Sequence, residues 1–148
     1  VYGFGSSMQY KKWGFFFFFQ GQAHVSLCIS GITPFGTQYN RNILKFIADD
    51  HWSKDNQNPD AAYPRLTKYD NNNNNQTSTY WLRSAAFLKL KTAEIGYSYK
   101  NFRFYLSGVN LLTFSPFHLW DPEMGGGNYV TKYPTQRTFN IGVQLTIK

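Results

Sequence analysis

The chain lacks any run of about 18 apolar residues, the least a membrane-crossing helix needs, so a transmembrane helix is excluded. It has little charge. Asp, Glu, Lys and Arg make up 16% of it, against roughly 25% in typical soluble domains. It has one cysteine, Cys28, inside a strand-like run. No internal disulfide can form, and Cys28 reads as a small apolar strand residue. Neither an initiator Met nor a signal peptide stands at the start, although a secreted or outer-membrane protein needs such a signal at synthesis. The expectation is that residue 1 is not the true start. Acidic residues are few, 8 against 15 basic ones, which leaves a net charge of +7. A basic, aromatic chain could bind nucleic acid. The charges form no single block, however, and no RRM-like, zinc-finger or helix-turn-helix pattern is present, so no nucleic acid is expected.

What the chain does have is aromatic residues, 20% of its 148 positions. The mean hydropathy is nevertheless negative, −0.46. A β-barrel reconciles the two, because it hides apolar residues by alternation. Strands are expected at about 1–10, 14–30, 79–99, 102–113 and 135–147. Lys11-Lys12 and Lys100-Asn101 form tight turns between aromatic neighbours, Tyr10 with Trp13 and Tyr99 with Phe102. A polar tip between aromatics is what one membrane interface should look like. Phe15 to Phe19 defeat simple alternation. In a soluble protein such a strand needs burial on both faces; in a barrel one set of rings can face lipid.

Residues 31–78 and 114–134 read as long loops. The first holds apolar residues at helical spacing (Ile43, Leu44, Phe46, Ile47), so a short helix is expected near 41–48. It also holds Asn71 to Asn75, a polar tract expected to be mobile. The cleanest alternation closes the chain. Phe139, Ile141, Val143, Leu145 and Ile147 lie on one side, expected to face lipid. The fold class is therefore all-β: antiparallel strands forming a segment of a transmembrane barrel. The five strands visible cannot close, since known barrels have about eight or more and an open edge cannot face lipid.

Four blocks in series carry a resemblance: Ser84 to Tyr97, Phe104 to Thr113, Trp120-Asp121-Pro122-Glu123, and Tyr133 to Gly142. In order and spacing they resemble the closing strands of the SusC/RagA family of TonB-dependent outer-membrane transporters of Bacteroidetes. The resemblance covers roughly residues 50–148, with a weaker match over the first hairpin. It implies the C-terminal segment of a roughly 22-stranded barrel with a plugged lumen, the plug lying outside this chain. It further implies import of oligosaccharides or peptides, a SusD-like surface lipoprotein as lid, TonB acting through the N-terminal region, and the bacterial outer membrane as location. The family usually ends on an aromatic residue, whereas this chain ends Ile147-Lys148. An aromatic is expected at the next outward position.

No enzyme or cofactor is expected. Asp121 and Glu123 could in principle serve as an acid–base pair, but a loop with Pro122 between them does not fix their separation, and a turn with polar contacts is the expectation. His24, His51 and His118 have no metal-ligand spacing. Gly125-Gly126-Gly127 lacks the Lys and following helix of a phosphate loop. Trp52, Tyr63, Trp120 and Tyr129 lie in the loops as candidate contacts to cargo or lid. The rival reading is a secreted, soluble all-β carbohydrate-binding module, which strand count alone fits equally well.

Overall fold

A computed structural model describes residues 1–29, 43–67, 71–125 and 132–147. The chain divides into a sheet unit, Val1–Leu27, Arg83–Gly125 and Tyr129–Lys148, and a loop unit, Cys28–Leu82 with Gly126–Asn128.

The sheet unit holds five antiparallel strands. They are β1 (Tyr2–Tyr10), β2 (Trp13–Gln22), β5 (Phe87–Tyr99), β6 (Phe102–Phe114) and β7 (Thr138–Leu145), in the spatial order β1-β2-β5-β6-β7. Two further short strands, β3 (Ser26–Cys28) and β4 (Leu82–Ser84), pair in a separate two-stranded sheet. The strand expected over 14–30 is broken. β2 stops at Gln22, and His24 adopts φ 55, a left-handed conformation uncommon for a residue other than glycine. The strand expected over 79–99 is likewise divided into a 3-10 turn (Thr79–Trp81), β4 and β5. The final strand is shorter than 135–147, running from Thr138 to Leu145. The helix α1 spans Lys45–Asp49; residues 41 and 42 of the expected 41–48 lie outside the described set.

Register explains the Phe run. Trp13, Phe15 and Phe17 pair with Tyr97, Ile95 and Ala93, whereas Phe16 and Phe18 pair with Glu94 and Thr92. Alternation thus sends Phe15, Phe17 and Phe19 to one face and Phe16 and Phe18 to the other. Carried across the sheet, the first face is a series of rows. Met8, Phe15, Ile95, Leu106 and Ile141 form one; Tyr10 and Trp13 with Tyr97, Phe104 and Val143 cross nearer the tight turns. No charged residue falls in these rows. Tyr10, Trp13, Tyr97 and Tyr99 concentrate near the tight turns, with Phe and aliphatic residues further along the strands. The rings pack across and along strands, as in Phe4 on Phe19 (centroids 5.2 Å apart) and Trp13 on Tyr97 (4.9 Å). Much of this face is uncovered: Ile141 is 86% exposed and Phe139 66%.

The second face is polar: Ser7, Gln9, Gln20, Lys89, Glu94, Arg103, Ser107, Asn140 and Gln144. Two of its rings, Tyr105 and Phe18, lie over glycines. A Cβ at Gly142 would stand 2.3 Å from the Tyr105 ring, and one at Gly5 would stand 3.1 Å from Phe18.

Both hairpins turn in two residues, and the first turn residue of each is left-handed, Lys11 at φ 54 and Lys100 at φ 51. Irregularities interrupt β2–β5 between Phe18 and Phe19, and β5–β6 between Leu90 and Thr92. Against β2, Lys91 is the extra residue in β5, a β-bulge; against β6, Asn110 and Leu111 stand opposite it.

The loop unit has its own small core, in which Ile29, Ile47, Tyr63 and Trp81 are buried. The Tyr63 amide donates to Asp50 O and its carbonyl accepts from Trp52 N, at 3.1 and 3.0 Å. The Asn tract forms a hydrogen-bonded turn. Asn71 Oδ1 accepts from the amides of Asn73 and Asn74, and Asn74 O accepts from Trp81 Nε1. Asn side chains favour such turns by bonding their own backbone, which the mere polarity of the tract does not reveal.

Candidate functional site

The polar face carries a compact ionic cluster. Lys89 is fully buried, and its Nζ lies 2.6 Å from both Asp121 Oδ2 and Glu123 Oε2. Lys91 Nζ donates to both oxygens of Glu123, at 2.9 and 3.0 Å, and to Asn110 Oδ1 at 3.3 Å. The bulge puts Lys91 within reach of the same carboxylate, because the extra residue breaks strict alternation.

The acidic half is built locally. Asp121 caps the 3-10 turn Pro122–Met124 by accepting the Glu123 amide on Oδ1 at 3.0 Å. Pro122 presets the turn, and Gly125, at φ 77, ends it. Thr135 Oγ1 donates to Asp121 Oδ2 from the far side of the loop. Asn110 Nδ2 donates to Gln136 O at 2.9 Å. The segment between β6 and β7 is thus fastened to the sheet near both its ends.

Partial burial alone would raise the Asp121 carboxyl. Hydrogen bonds from Lys89, Thr135 and the Glu123 amide, with the Lys89 charge, outweigh it and hold the group below its ordinary value. Glu123 behaves likewise: desolvation opposes ionisation, while hydrogen bonds and charge from Lys89 and Lys91 prevail. Both carboxylates are therefore ionised and engaged. They form a loop anchor, not a free acid–base pair, and the turn with polar contacts expected from the sequence is what stands there. Breaking such a buried network by removing one partner costs about 3–5 kcal/mol.

Towards the tight turns, the polar face holds a cleft of about 260 Å³ lined by Ser7, Gln9, Lys12, Phe16, Glu94, Ser98 and Arg103. Arg103 Nη2 pairs with Glu94 Oε1, and its guanidinium lies over the Tyr105 ring at 5.5 Å. Among the described residues, no group of three His, Cys, Asp or Glu is arranged to hold a metal.

The aromatic loop residues separate. Tyr63 is only 5% exposed and packs on Phe46 at 6.0 Å, within the loop core. Trp52 is half-buried. Trp120, also half-buried, donates from Nε1 to Gly125 O and meets Phe117 edge-on at 4.7 Å. Tyr129 lies outside the described residues. Phe139, Ile141, Val143 and Leu145 share the apolar face of β7, and Ile147 follows it, 85% exposed. Sequence reasoning missed Lys89 and Lys91. Their signal was two lysines set among Phe87, Leu88 and Leu90.

A sheet with one uncharged apolar face, one polar face over flat-lying rings, aromatic rims and two open edges is a piece of transmembrane barrel wall. No family model matches the chain. Over 169 aligned residues it is 27% identical to the TonB-dependent receptor P26 of Formosa agariphila, covering 99% of the chain and 17% of that relative. A second receptor of that bacterium, P3, is 22% identical, with 97% of the chain and 16% of the relative covered. Among solved structures, the RagAB peptide importer in the 'closed-closed' state superposes with a TM-score of 0.73 at 26% identity, covering 97% of the chain and 16% of that chain. The chain is thus a homologue of TonB-dependent receptors and has the fold of a segment of their barrel. It spans about a sixth of the length of these relatives.

Proposed function

We propose that this chain forms part of the wall of a TonB-dependent importer in the bacterial outer membrane. The observation that carries the reading is the uncharged face. Five strands about 4.8 Å apart and rows spanning about 36 Å give a projected area on the order of 800 Å², more than the few hundred Å² of apolar patch a soluble monomer exposes. At a barrel tilt of about 40° that span rises about 27 Å, close to the ~25 Å apolar band of outer-membrane barrels. Phe139, Ile141, Val143, Leu145 and Ile147 then face lipid, the polar face lines the lumen, and the segments at 31–78 and 114–134 reach the outside. The similarity to receptors named TonB-dependent supports energised import driven through a part of the protein beyond this chain. The similarity to RagAB supports a cargo of peptides or, as the family resemblance implies, oligosaccharides, and a SusD-like lipoprotein over the mouth. Trp52 and Trp120 remain the candidate loop contacts to cargo or lid, with Tyr63 buried in the loop core. This chain supplies wall and loops and performs no covalent chemistry.

The test uses the whole gene product. Extracted in detergent, it should migrate faster unheated than boiled, and cells lacking it should lose growth on one class of peptide or oligosaccharide. Folded, monodisperse protein in plain buffer, with no heat-modifiable migration, would reject the reading in favour of a soluble module.

A further inference from the structure

The two tight turns come from different hairpins, yet they bring their lysines to one ring. Lys12 follows β1, and its Nζ lies 5.3 Å from the centre of the Tyr99 ring. Lys100 follows β5, and its Nζ lies 5.5 Å from the same centre. The backbone holds them together: the Ser98 amide donates to Lys12 O at 2.8 Å, tying the first turn to the strand that ends at Tyr99. Lys11 adds a third charge, 5.3 Å from the centre of Tyr10. Among the described residues, none of these three lysines forms an ion pair. The nearby carboxylate on this end of the sheet, Glu94, is engaged by Arg103 on the polar face. Each ammonium gains from a ring face, but the two on Tyr99 repel each other. An anion between them would turn that repulsion into attraction.

Where this rim lies tells what the anion is. Tyr99 and its cross-strand neighbour Phe102 stand on the apolar face, in the row nearest the turns, and Tyr99 is 48% exposed. In a barrel, that row lies at headgroup depth. Further along the same face a depression of about 380 Å³ is lined mainly by apolar residues, among them Phe17, Ala93, Leu106 and Phe139, with Glu94 and Ser107 also on its lining. Ala93 and Gly108 are direct cross-strand partners and form its floor. It lies six residues from Tyr99, about 20 Å along the strand, within the span of one extended lipid acyl chain. The cationic seat at the turns, where Lys12 also borders the polar-face cleft, thus lies at the end of the strand that carries the apolar groove.

We infer that Lys12 and Lys100, both at the Tyr99 ring, bind the phosphate of an anionic phospholipid whose acyl chain lies in the Ala93–Gly108 depression. The inference rests on the barrel reading. Each lysine near an anionic membrane surface adds about fivefold in affinity, so losing both should weaken binding about 25-fold.

The experiment titrates the delipidated whole receptor, in detergent, with dioleoylphosphatidylglycerol, dioleoylphosphatidylcholine or inorganic phosphate, and counts bound lipid by native mass spectrometry. The Lys12→Gln/Lys100→Gln double variant keeps the side-chain stems, and the Lys12→Arg/Lys100→Arg variant keeps the charge. Phosphatidylglycerol should bind tighter than phosphatidylcholine, weaken about 25-fold in the Gln variant and hold in the Arg variant, with inorganic phosphate unable to displace it. Equal binding of the two lipids, or no loss in the Gln variant, would overturn the inference. Displacement by millimolar inorganic phosphate would overturn the lipid as ligand. Heat-modifiable migration is scored on every sample. Its retention alongside unchanged lipid binding sinks this inference alone, whereas its absence in the wild type sinks the barrel reading.

Discussion

The two faces of one sheet are made from the same strands, yet they obey opposite rules. Residues 106 and 107 are neighbours on β6. Leu106 stands in an uncharged row with Ile95 and Ile141, while Ser107 stands between Glu94 and Asn140. On the first face, in the barrel proposed above, stability comes from a match to the surrounding lipid. On the second, it comes from specific partners, above all the Lys89 cluster. Burial therefore means different things on the two faces. In the barrel proposed above, Ile141 at 86% exposed would have hydrocarbon as its solvent, while Lys89 at 0% is tolerable because two carboxylates meet it.

The largest effect should come from breaking the polar face at its most buried point. Lys89→Met leaves two carboxylates short of a partner and should lower the unfolding free energy of the receptor in lipid vesicles by about 3–5 kcal/mol in a urea titration. Next comes the direct contrast between faces. Leu106→Arg should cost about 2–4 kcal/mol in the same assay, as a cation in the mid-membrane rows. Ser107→Arg, one residue away, should stay within about 0.5 kcal/mol. Equal costs would erase the distinction between the faces.

A smaller effect separates the cluster from the rest by pH. The carboxyls of Asp121 and Glu123 are lowered in the folded state, so their contribution is fully present above the ordinary values of 3.8 and 4.5. It drains as pH falls through the depressed values. Unfolding midpoints in urea should decline over that acidic range, and the Lys89→Met variant should show a shallower decline. The smallest effect belongs to the first tight turn. Lys11→Gly relieves a left-handed backbone costing about 1–2 kcal/mol but forfeits a ring contact worth about 0.5–1 kcal/mol. A net gain of about 0.5 kcal/mol in the same titration is expected.

Much of the apolar face is legible in the sequence, because period-2 alternation is a local signal and β7 spells it out from Phe139 to Leu145. The tight turns are legible for the same reason. The breaks at His24 and ahead of Phe87 are not, since a residue of ordinary type adopts the left-handed conformation in one and two alanines, Ala85 and Ala86, separate β4 from β5 in the other. The anchor is legible only by half. Trp120-Asp121-Pro122-Glu123 announces a turn with polar contacts, but its lysine partners lie more than 30 residues upstream. Which of them face inward depends on a bulge that no local pattern marks. The aromatic loop residues show the converse failure. Tyr63 has the composition of a contact residue and the position of a core residue, and only packing distinguishes the two.

The rings of Tyr105 and Phe18, lying over Gly142 and Gly5, have a consequence for clearance. A side chain that stands upright from a barrel wall narrows the bore by its own length, and every strand contributes. Here glycine opposite a large ring lets the ring recline along the wall, so its bulk adds stiffness to the sheet without projecting far inward. In the importer proposed above, such pairs would keep a thick, aromatic-braced wall compatible with a wide passage. Filling any one of these glycine sites would raise a ring into the path of whatever passes.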